Sequence, residues 1–196
     1  MNQKEDLEKN NEQTILEVAL KHFARDGYEA GSVQKICDEV GVSKPTLYHY
    51  YGSKQGVLER ILETRFAPFL ALLNVACSYR GDIDGSVARI IQAFFLFASH
   101  DLAMFELMMS LWASADQDVG RKIAQPWLDR QVDCLVRLFR DAKKDHGTLR
   151  GRESFCVTCL LSLIDIYVQD TTQTKRALDD RLAQRASKHF LYGCLA

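Results

Sequence analysis

The sequence predicts an all-α protein with a small N-terminal head and a larger helical body. Apolar residues recur at helical spacing along most of the chain, and alternating strand patterns are almost absent. Only three prolines occur in 196 residues, so few segments are barred from forming helix. The composition, 47% hydrophobic and 26% charged, is typical of a globular protein. We expect a flexible tail over residues 1–12, a head over 13–57 and a body over 58–196.

The head is predicted to hold three helices separated by tight turns. The first has an apolar face and ends near Gly27. Ser32 is placed to cap the second helix, and Gly41 supplies the positive φ of the turn that follows it. Ser43 is placed to cap a third, very short helix, where Pro45 is tolerated because first-turn N–H groups have no intrahelical partner.

The segment Gly41–Lys54 contains no Asp or Glu, but has two Lys, one His and three Tyr. A short polar helix is more often the solvated corner of a bundle than a binding element. Here the acid-free stretch, the adjoining turns and the aromatic donors together favour a helix that enters a DNA groove. This is the pattern of a helix-turn-helix DNA reader.

We expect the DNA contacts to divide by role. Lys44 suits guanine O6 and N7, and Pro45 or Thr46 can touch a thymine methyl. Gln34, on the second helix, is placed to reach a base edge or a phosphate. Other polar side chains of this region are expected mainly to hold phosphates. The phosphate ligands are Tyr48, His49, Tyr50 and Lys54.

These motifs also resemble those of a known protein family. The stretch Ile15–Leu62 resembles the N-terminal domain of the TetR family of bacterial transcriptional regulators. Its matching segments are Phe23–Tyr28, Ser32–Ile36, Gly41–Tyr51 and Ser53–Lys54. The family usually has Phe at Tyr51, often a small residue at Lys35, and often Thr at Gly31, where glycine removes a hydroxyl that could contact phosphate. The resemblance implies a dimeric repressor that binds a palindromic operator and is released by a small apolar or aromatic effector.

Beyond the head, the pattern predicts further helices. Ser53 is placed to cap a fourth helix running from Lys54 to about Ala76, and Asp101 to cap one that begins at Leu102. Pro126 should kink or divide a long helix over about 118–144. The other predicted body helices are Ser86–Ser99, Glu153–Val168 and Lys175–Leu195.

The body offers apolar side chains that could line an effector cavity. Met and Phe at helical spacing are more often core than cavity, but the resemblance favours a cavity. Asp165 lies in an apolar run, where its charge must find a partner or face solvent. It could anchor an effector, lie in a dimer interface, or simply occupy an exposed helix edge. The candidate effector residues are Phe66, Leu70, Phe94, Phe97, Met104, Met108, Trp112, Trp127 and Asp165.

The last two predicted helices are the expected dimer surface, because both offer long apolar faces near the end of the chain. Two helices from each subunit would form a four-helix interface. The candidate interface residues are Leu160, Leu163, Ile164, Tyr167, Leu182, Phe190 and Leu191.

Charge and cysteine usage restrict the class of protein. The formal net charge is −1, which argues against a non-specific nucleic-acid coat but not against a local DNA-reading patch. Six cysteines and the lack of a signal-peptide pattern indicate a reducing cytoplasm. We expect no membrane span, because no apolar run reaches the necessary length. Cys156 and Cys159 have CxxC spacing, which leaves a redox or metal role open beside simple packing.

No catalytic motif stands out, so we expect no enzyme activity, no cofactor and no metal. The five histidines are far apart in the sequence, and neither a GxSxG motif nor a P-loop is present. An all-α enzyme and a helical protein-interaction module remain the alternatives. Sequence-selective DNA binding that weakens with salt would distinguish the regulator from both.

Overall fold

The computed structural model describes the backbone of residues 3–194, and within that range every side chain except those of residues 3–10, Thr148 and Cys194. The described chain is helical and contains no strand, which confirms the all-α class. Its helices are α1 (Gln3–Asp26), α2 (Val33–Val40), α3 (Lys44–Tyr51), α4 (Lys54–Ile61), α5 (Ala67–Ala76), α6 (Ile83–His100), α7 (Leu102–Ala113), α8 (Val119–Ala142), α9 (Glu153–Thr174) and α10 (Asp180–Cys194).

The turns of the head form where the sequence predicted them. Gly27 and Gly41 adopt φ of 81° and 79°, the left-handed conformation that glycine takes without steric cost. The Ser32 side chain accepts a hydrogen bond from the Lys35 N–H, and Ser43 accepts one from the Thr46 N–H. Both caps satisfy amides that have no intrahelical acceptor. Local side-chain chemistry therefore fixes where α2 and α3 begin.

The described residues pack into two units, and the domain boundary expected at residue 57 stays a prediction. One unit contains residues up to 67 together with 103–127, and the other contains 68–102 with the chain from 128 onward. In the first unit, the apolar face of α4 packs against α1. Val57 and Ile61 on that face are buried, so α4 packs with α1 in the first unit.

The segment expected to be a flexible tail, residues 1–12, is helical where the structure describes it. Residues 1 and 2 lie outside the described range, and α1 begins at Gln3 instead of after residue 12. The polar residues before Thr14 include neither proline nor glycine, so nothing in them stops the helix from continuing toward the N-terminus. Whether this part of α1 is mobile stays a prediction.

The fourth predicted helix is interrupted. The segment Leu62–Phe66 forms a π-helical turn between α4 and α5. A π-helical turn inserts one extra residue into the hydrogen-bond ladder and often marks a functional segment. Leu62 and Phe66 are both fully buried, so the turn keeps two large apolar side chains in the core.

In the second unit, two helices start at other residues than predicted. α6 begins at Ile83, earlier than Ser86, because the Asp82 carboxylate accepts the Gly85 N–H at 3.1 Å and caps the helix. α10 begins at Asp180, since Lys175 has a left-handed φ of 55° that ends α9. Asp179 then accepts the Leu182 N–H at 2.8 Å. Residue 195, predicted as the end of the last helix, lies outside the described range.

The long helix α8 is not divided at Pro126, which lies inside it.

Helix α9 is long and apolar enough to pass for a membrane span by length and composition alone. Apolar side chains occur on both its buried and its exposed faces: Leu160 is buried, whereas Phe155 and Ile166 are exposed. A core helix of a globular protein meets the same criterion, so this is weak evidence for a span.

Candidate nucleic-acid interface

The exposed face of α3 presents the residues predicted to contact DNA. Lys44, Pro45, Tyr48 and His49 are all exposed. Leu47, on the opposite face, is fully buried and anchors the short helix to the head. The anchoring side chain and the capped first turn fix the direction in which the exposed residues point.

Three other predicted contacts are engaged within the chain. Thr46 is half-buried, and its hydroxyl lies 2.8 Å from the Ser43 hydroxyl, so it supports the helix cap. Tyr50 is half-buried beside the His49 ring, with 5.7 Å between ring centroids. Gln34 is exposed and donates from Nε2 to the Asp38 carboxylate at 2.6 Å. Asp38 precedes the acid-free segment Gly41–Lys54, so one predicted DNA contact, Gln34, does lie beside an acid.

Lys54 is held inside the head more firmly than its predicted phosphate role suggests. Its ammonium group donates to the Glu29 carbonyl at 3.1 Å and lies 4.5 Å from the centroid of the Tyr28 ring. Partial burial lowers the pKa of the Lys54 ammonium, and the charge of Glu29 opposes that shift. A contact of Lys54 with DNA phosphate stays a prediction.

Two departures from the family pattern have structural explanations. The Tyr51 hydroxyl donates to the Glu12 carbonyl of α1 at 2.7 Å, a bond that phenylalanine could not make. Burial raises the pKa of the Tyr51 phenol. At Gly31, which is buried, a Cβ atom would lie 2.6 Å from the Phe23 ring. A side chain there would have to displace Phe23, a clash that the sequence alone does not show because only the fold brings Phe23 close.

The predicted effector residues are divided between the two units. Those in the first unit are Phe66, Met104, Met108, Trp112 and Trp127, and those in the second are Leu70, Phe94, Phe97 and Asp165. Only Phe97, Trp112, Trp127 and Asp165 are half-buried; the others are buried. Whether any of them binds an effector stays a prediction.

The second unit contains an aromatic cluster whose central member the sequence analysis did not single out. Phe69 stacks on Phe97 with ring centroids 4.2 Å apart, and meets the edge of Phe94 at 4.9 Å. Phe97 is half-buried, so part of the cluster remains accessible. Asp165 is paired along α9, where it accepts a hydrogen bond from Gln169 at 2.7 Å. This satisfies one oxygen of its carboxylate without any ligand.

In the first unit, the Trp112 ring lies beside the positively charged side chain of Arg121. The Arg121 guanidinium carbon lies 5.4 Å from the Trp112 ring. The same side chain donates to the carbonyls of Leu111 and Trp112 at 3.2 and 3.1 Å. Arg121 therefore caps the end of α7 while it covers the indole.

Several residues predicted for the dimer interface lie inside the subunit. Leu160, Ile164 and Phe190 are fully buried, and Leu191 is 6% exposed. A core residue and an interface residue look alike in sequence, and these four contribute to the core of the subunit; the predicted dimer interface stays a prediction. Leu163, Tyr167 and Leu182 are half-buried.

The exposed apolar residues of α9 and α10 are different ones. Phe155, Ile166 and Tyr192 are 58%, 64% and 69% exposed. Phe155 and Ile166 lie on one face of α9, because eleven residues correspond to about three helical turns. These three residues are not among those predicted for the interface, although the eleven-residue spacing of Phe155 and Ile166 is visible in the sequence.

Cys156 and Cys159 lie one turn apart on α9, with Cys156 buried and Cys159 half-buried. Within the part of the chain that the structure describes, no group of three or more His, Cys, Asp or Glu residues is placed to hold a metal ion. A redox or metal role for the CxxC pair stays a prediction.

The head has three helices joined by capped turns, and its last helix presents an exposed face without acids. This geometry defines a helix-turn-helix DNA-binding protein. Residues 15–61 match the family model of bacterial regulatory proteins of the TetR family. The transcriptional repressor AcnR of Corynebacterium glutamicum is 35% identical over 151 residues, covering 72% of this chain and 70% of AcnR. The chain therefore belongs to the TetR family of transcriptional regulators.

Two further comparisons extend beyond the head. The transcriptional activator FasR of Mycolicibacterium smegmatis is 29% identical over 187 residues, covering 93% of this chain and 81% of FasR. The solved structure of FadR from Bacillus subtilis in complex with stearoyl-CoA superimposes with a TM-score of 0.69 at 16% identity, covering 92% of this chain and 98% of FadR. At that identity the likeness concerns the fold.

Proposed function

We propose that this regulator is a dimeric repressor that binds a palindromic operator and is released by an apolar small molecule. The observation that carries the DNA-binding part is the exposed, acid-free face of α3, held by the buried Leu47 and the Ser43 cap. The relatives include both an activator and a repressor. We favour repression because two of these relatives are repressors. We also place the protein in the cytoplasm, where it can reach DNA.

Sequence readout is assigned chiefly to Lys44. Its exposed ammonium can donate to guanine O6 and N7 in the major groove, while Pro45 offers an apolar contact to thymine. Gln34 joins these two from α2, with its amide held by Asp38. Tyr48, His49 and Tyr50 are assigned to phosphates, which set the register of the head on the duplex.

The direct test is selection of bound sites from a random DNA pool, followed by binding of the selected site to the Lys44→Ala variant. The loss should be about 1–3 kcal/mol on the best site, with a weaker preference at one base step. Lys144→Ala, which changes an exposed lysine after the end of α8, serves as the control and should leave both quantities unchanged. Equal weakening on all sequences would assign Lys44 to phosphate instead of base readout.

Dimerisation is assigned to the exposed apolar residues of the second unit. Phe155 and Ile166 on α9, with Tyr192 on α10, are costly to leave in water in a monomer. A second copy of the same surface would cover them in a two-fold contact. Two heads about 34–36 Å apart, or a multiple of that distance, would then match two half-sites of a palindrome. Sedimentation at micromolar concentration tests this, and a monomer would contradict it.

An apolar effector is assigned to the accessible part of the aromatic cluster of Phe69, Phe94 and Phe97. FadR of Bacillus subtilis binds stearoyl-CoA in its solved structure, which makes a long acyl-CoA the first probe for this chain. The helical segment over α4 and α5 is the proposed lever, since it begins in the head and contains the π-helical turn.

The effector and DNA should oppose each other. A ligand releases DNA only by as much as it prefers the released conformation, so a coupling of about 1–3 kcal/mol suffices for a switch. By reciprocity, the selected operator must weaken stearoyl-CoA binding by the same factor. Calorimetric titration of stearoyl-CoA with and without operator DNA measures this factor. Equal affinities would show that this acyl-CoA is not the inducer.

A further inference from the structure

The turn between α1 and α2 touches three other parts of the first unit through two adjacent residues. Tyr28 is buried and meets the Phe23 ring of α1 edge-on, with centroids 5.1 Å apart. Lys54, at the start of α4, lies over the same Tyr28 ring and donates to the carbonyl of Glu29. One short turn therefore holds the first turn of α4.

The same two residues also hold the start of α8. The Glu29 carboxylate accepts the Gly120 N–H at 3.1 Å. Gly120 is the second residue of α8, so this amide has no acceptor within its own helix. The carboxylate satisfies it and also places negative charge at the positive end of the helix dipole.

Gly120 leaves room for this contact because it has no side chain. It is buried, and a Cβ atom built on it would lie 2.7 Å from Cδ1 of Tyr28 and 2.9 Å from Tyr28 Cβ. Because one of the two atoms is the tyrosine Cβ, rotation of the ring alone could not relieve the clash. The absence of a side chain at Gly120 lets Tyr28 lie directly on the α8 backbone.

We propose that Tyr28 and Glu29 form a bridge through which the start of α8 positions the first turn of α4. Each bridging residue touches both helices: Tyr28 through its ring, and Glu29 through its carboxylate at Gly120 and its carbonyl at Lys54. A displacement of the first turn of α8 must therefore break the Glu29 bond or move the turn on which Lys54 rests. This gives the body a second route to the DNA-binding head, beside the α4–α5 lever.

The regulatory meaning of the bridge rests on the proposed function, but the bridge can be tested without DNA or effector. Hydrogen exchange is measured at the amides of Gly56 and Val57, which donate to the Ser53 hydroxyl and carbonyl. Gly120→Ala should speed their exchange by about tenfold while α9 keeps its protection, since local opening is confined to a neighbouring cooperative unit.

A matched control is available in α10. Among the described side chains outside its immediate neighbours, the one nearest to a Cβ built on Gly193 is His189, whose ring is 3.9 Å away, and Gly193→Ala also replaces a helical glycine by alanine. It should leave exchange at Gly56 and Val57 unchanged. Equal exchange at these amides in the two variants, or a uniform rise in all helices of Gly120→Ala, would overturn the inference.

A second pair of variants keeps the test open if Gly120→Ala fails to fold. Glu29 is exposed, so Glu29→Ala removes the cap of α8 without opening a cavity. It should speed exchange at Gly56 and Val57, and Glu29→Gln, which keeps an acceptor oxygen, should restore the original rate. If Glu29→Gln behaves like Glu29→Ala, the hydrogen bond to Gly120 does not position α4 and the bridge is disproved.

The selected operator provides the readout at the level of DNA binding. Gly120→Ala should weaken operator binding by about tenfold relative to Gly193→Ala, a coupling within the usual range. If no DNA sequence is selected by the unmodified protein, the proposed function fails while the exchange result stands. If DNA is bound but Gly120→Ala and Gly193→Ala bind it equally, the bridge has no role in positioning the head and the inference is overturned.

Discussion

The recognition helix α3 and the paired helices α9 and α10 are built on different principles. α3 has eight residues, begins at the Ser43 cap and stops before Gly52, whose φ is 71°. Each of these features is set by residues next to each other in the chain. In α9, apolar residues lie on both the buried and the exposed faces, and only the packing of the second unit separates the two sets. Short-range chemistry specifies the first region, whereas long-range packing specifies the second.

This difference predicts that substitutions on α9 should have opposite consequences depending on the face that they change. Exposed Ile166 should matter for assembly, and buried Leu160 for folding. In α3 and its flanks, the effects should instead follow from individual caps and hydrogen bonds.

The largest effect is expected from Ile166→Glu. A carboxylate in the centre of the proposed dimer surface would be desolvated without a partner. The subunit should stay folded, because Ile166 is 64% exposed, but it should sediment as a monomer. Loss of the second head should weaken operator binding by about 10²–10⁴-fold, the usual gain from linking two binding modules.

Ser154→Glu is the control for this substitution. Ser154 is exposed on the same helix, but it lies about 100° around the helix from Phe155. The control should remain dimeric and bind the operator normally. If Ile166→Glu remains dimeric, the interface lies elsewhere, and the exposed face of α9 is not the face that forms the dimer.

The next largest effect is expected on stability, from a cavity in the core. Leu160 is fully buried, so Leu160→Ala should lower the free energy of unfolding by about 2–5 kcal/mol. At low temperature the variant should still sediment as a dimer, in contrast to Ile166→Glu. Urea unfolding and sedimentation of the two variants measure both properties. Loss of the dimer without loss of stability in Leu160→Ala would reverse our assignment of the faces.

A smaller effect is expected at the cap of α3. Ser43→Ala removes the acceptor of the Thr46 N–H at 3.2 Å and the partner of the Thr46 hydroxyl. The loss should be about 1 kcal/mol, since exposed caps contribute that much. Operator affinity should fall with it, because α3 carries Lys44. Ser32→Ala, which removes the cap of α2, should cost similar stability but leave base preference at the Lys44 step unchanged.

How far the fold could be predicted follows the same division. The caps at Ser32 and Ser43 and the glycine turns depend on neighbouring residues, and the sequence was sufficient to find them. The clash that a side chain would meet at Gly31 and at Gly120 could not be found, because the rings that approach them belong to Phe23 and Tyr28. Distances of this kind exist only once the chain is folded.

The site divides in the same way. Exposure of Lys44, Tyr48 and His49 followed from helix periodicity. The internal bond of Lys54 to the Glu29 carbonyl did not, because those residues are 25 positions apart. The predicted interface was weakest for a physical reason, since burial in a core and burial in a dimer select the same apolar side chains. Only the structure separated Leu160 from Ile166.

The smallest effect concerns an exposed pair of chain neighbours at the end of α1. The Arg25 guanidinium donates to the Asp26 carboxylate at 2.8 and 2.9 Å, and this bond lowers the pKa of Asp26 from 3.8 to about 2. Because the folded-state pKa is lowered, the pair contributes stability above the ordinary pKa, and that contribution is lost as the pH falls from about 4 to about 2. In Asp26→Asn, the urea midpoint should therefore fall less steeply across this window than in the unmodified protein.

Glu63→Gln, which breaks the exposed pair with Arg60, is the control for charge removal in the same unit. High salt should reduce the difference, since it screens exposed charges, and sedimentation of Asp26→Asn at pH 7 should remain that of the unmodified protein. Identical acid profiles for Asp26→Asn and the unmodified protein would show that this local contact does not stabilise the head.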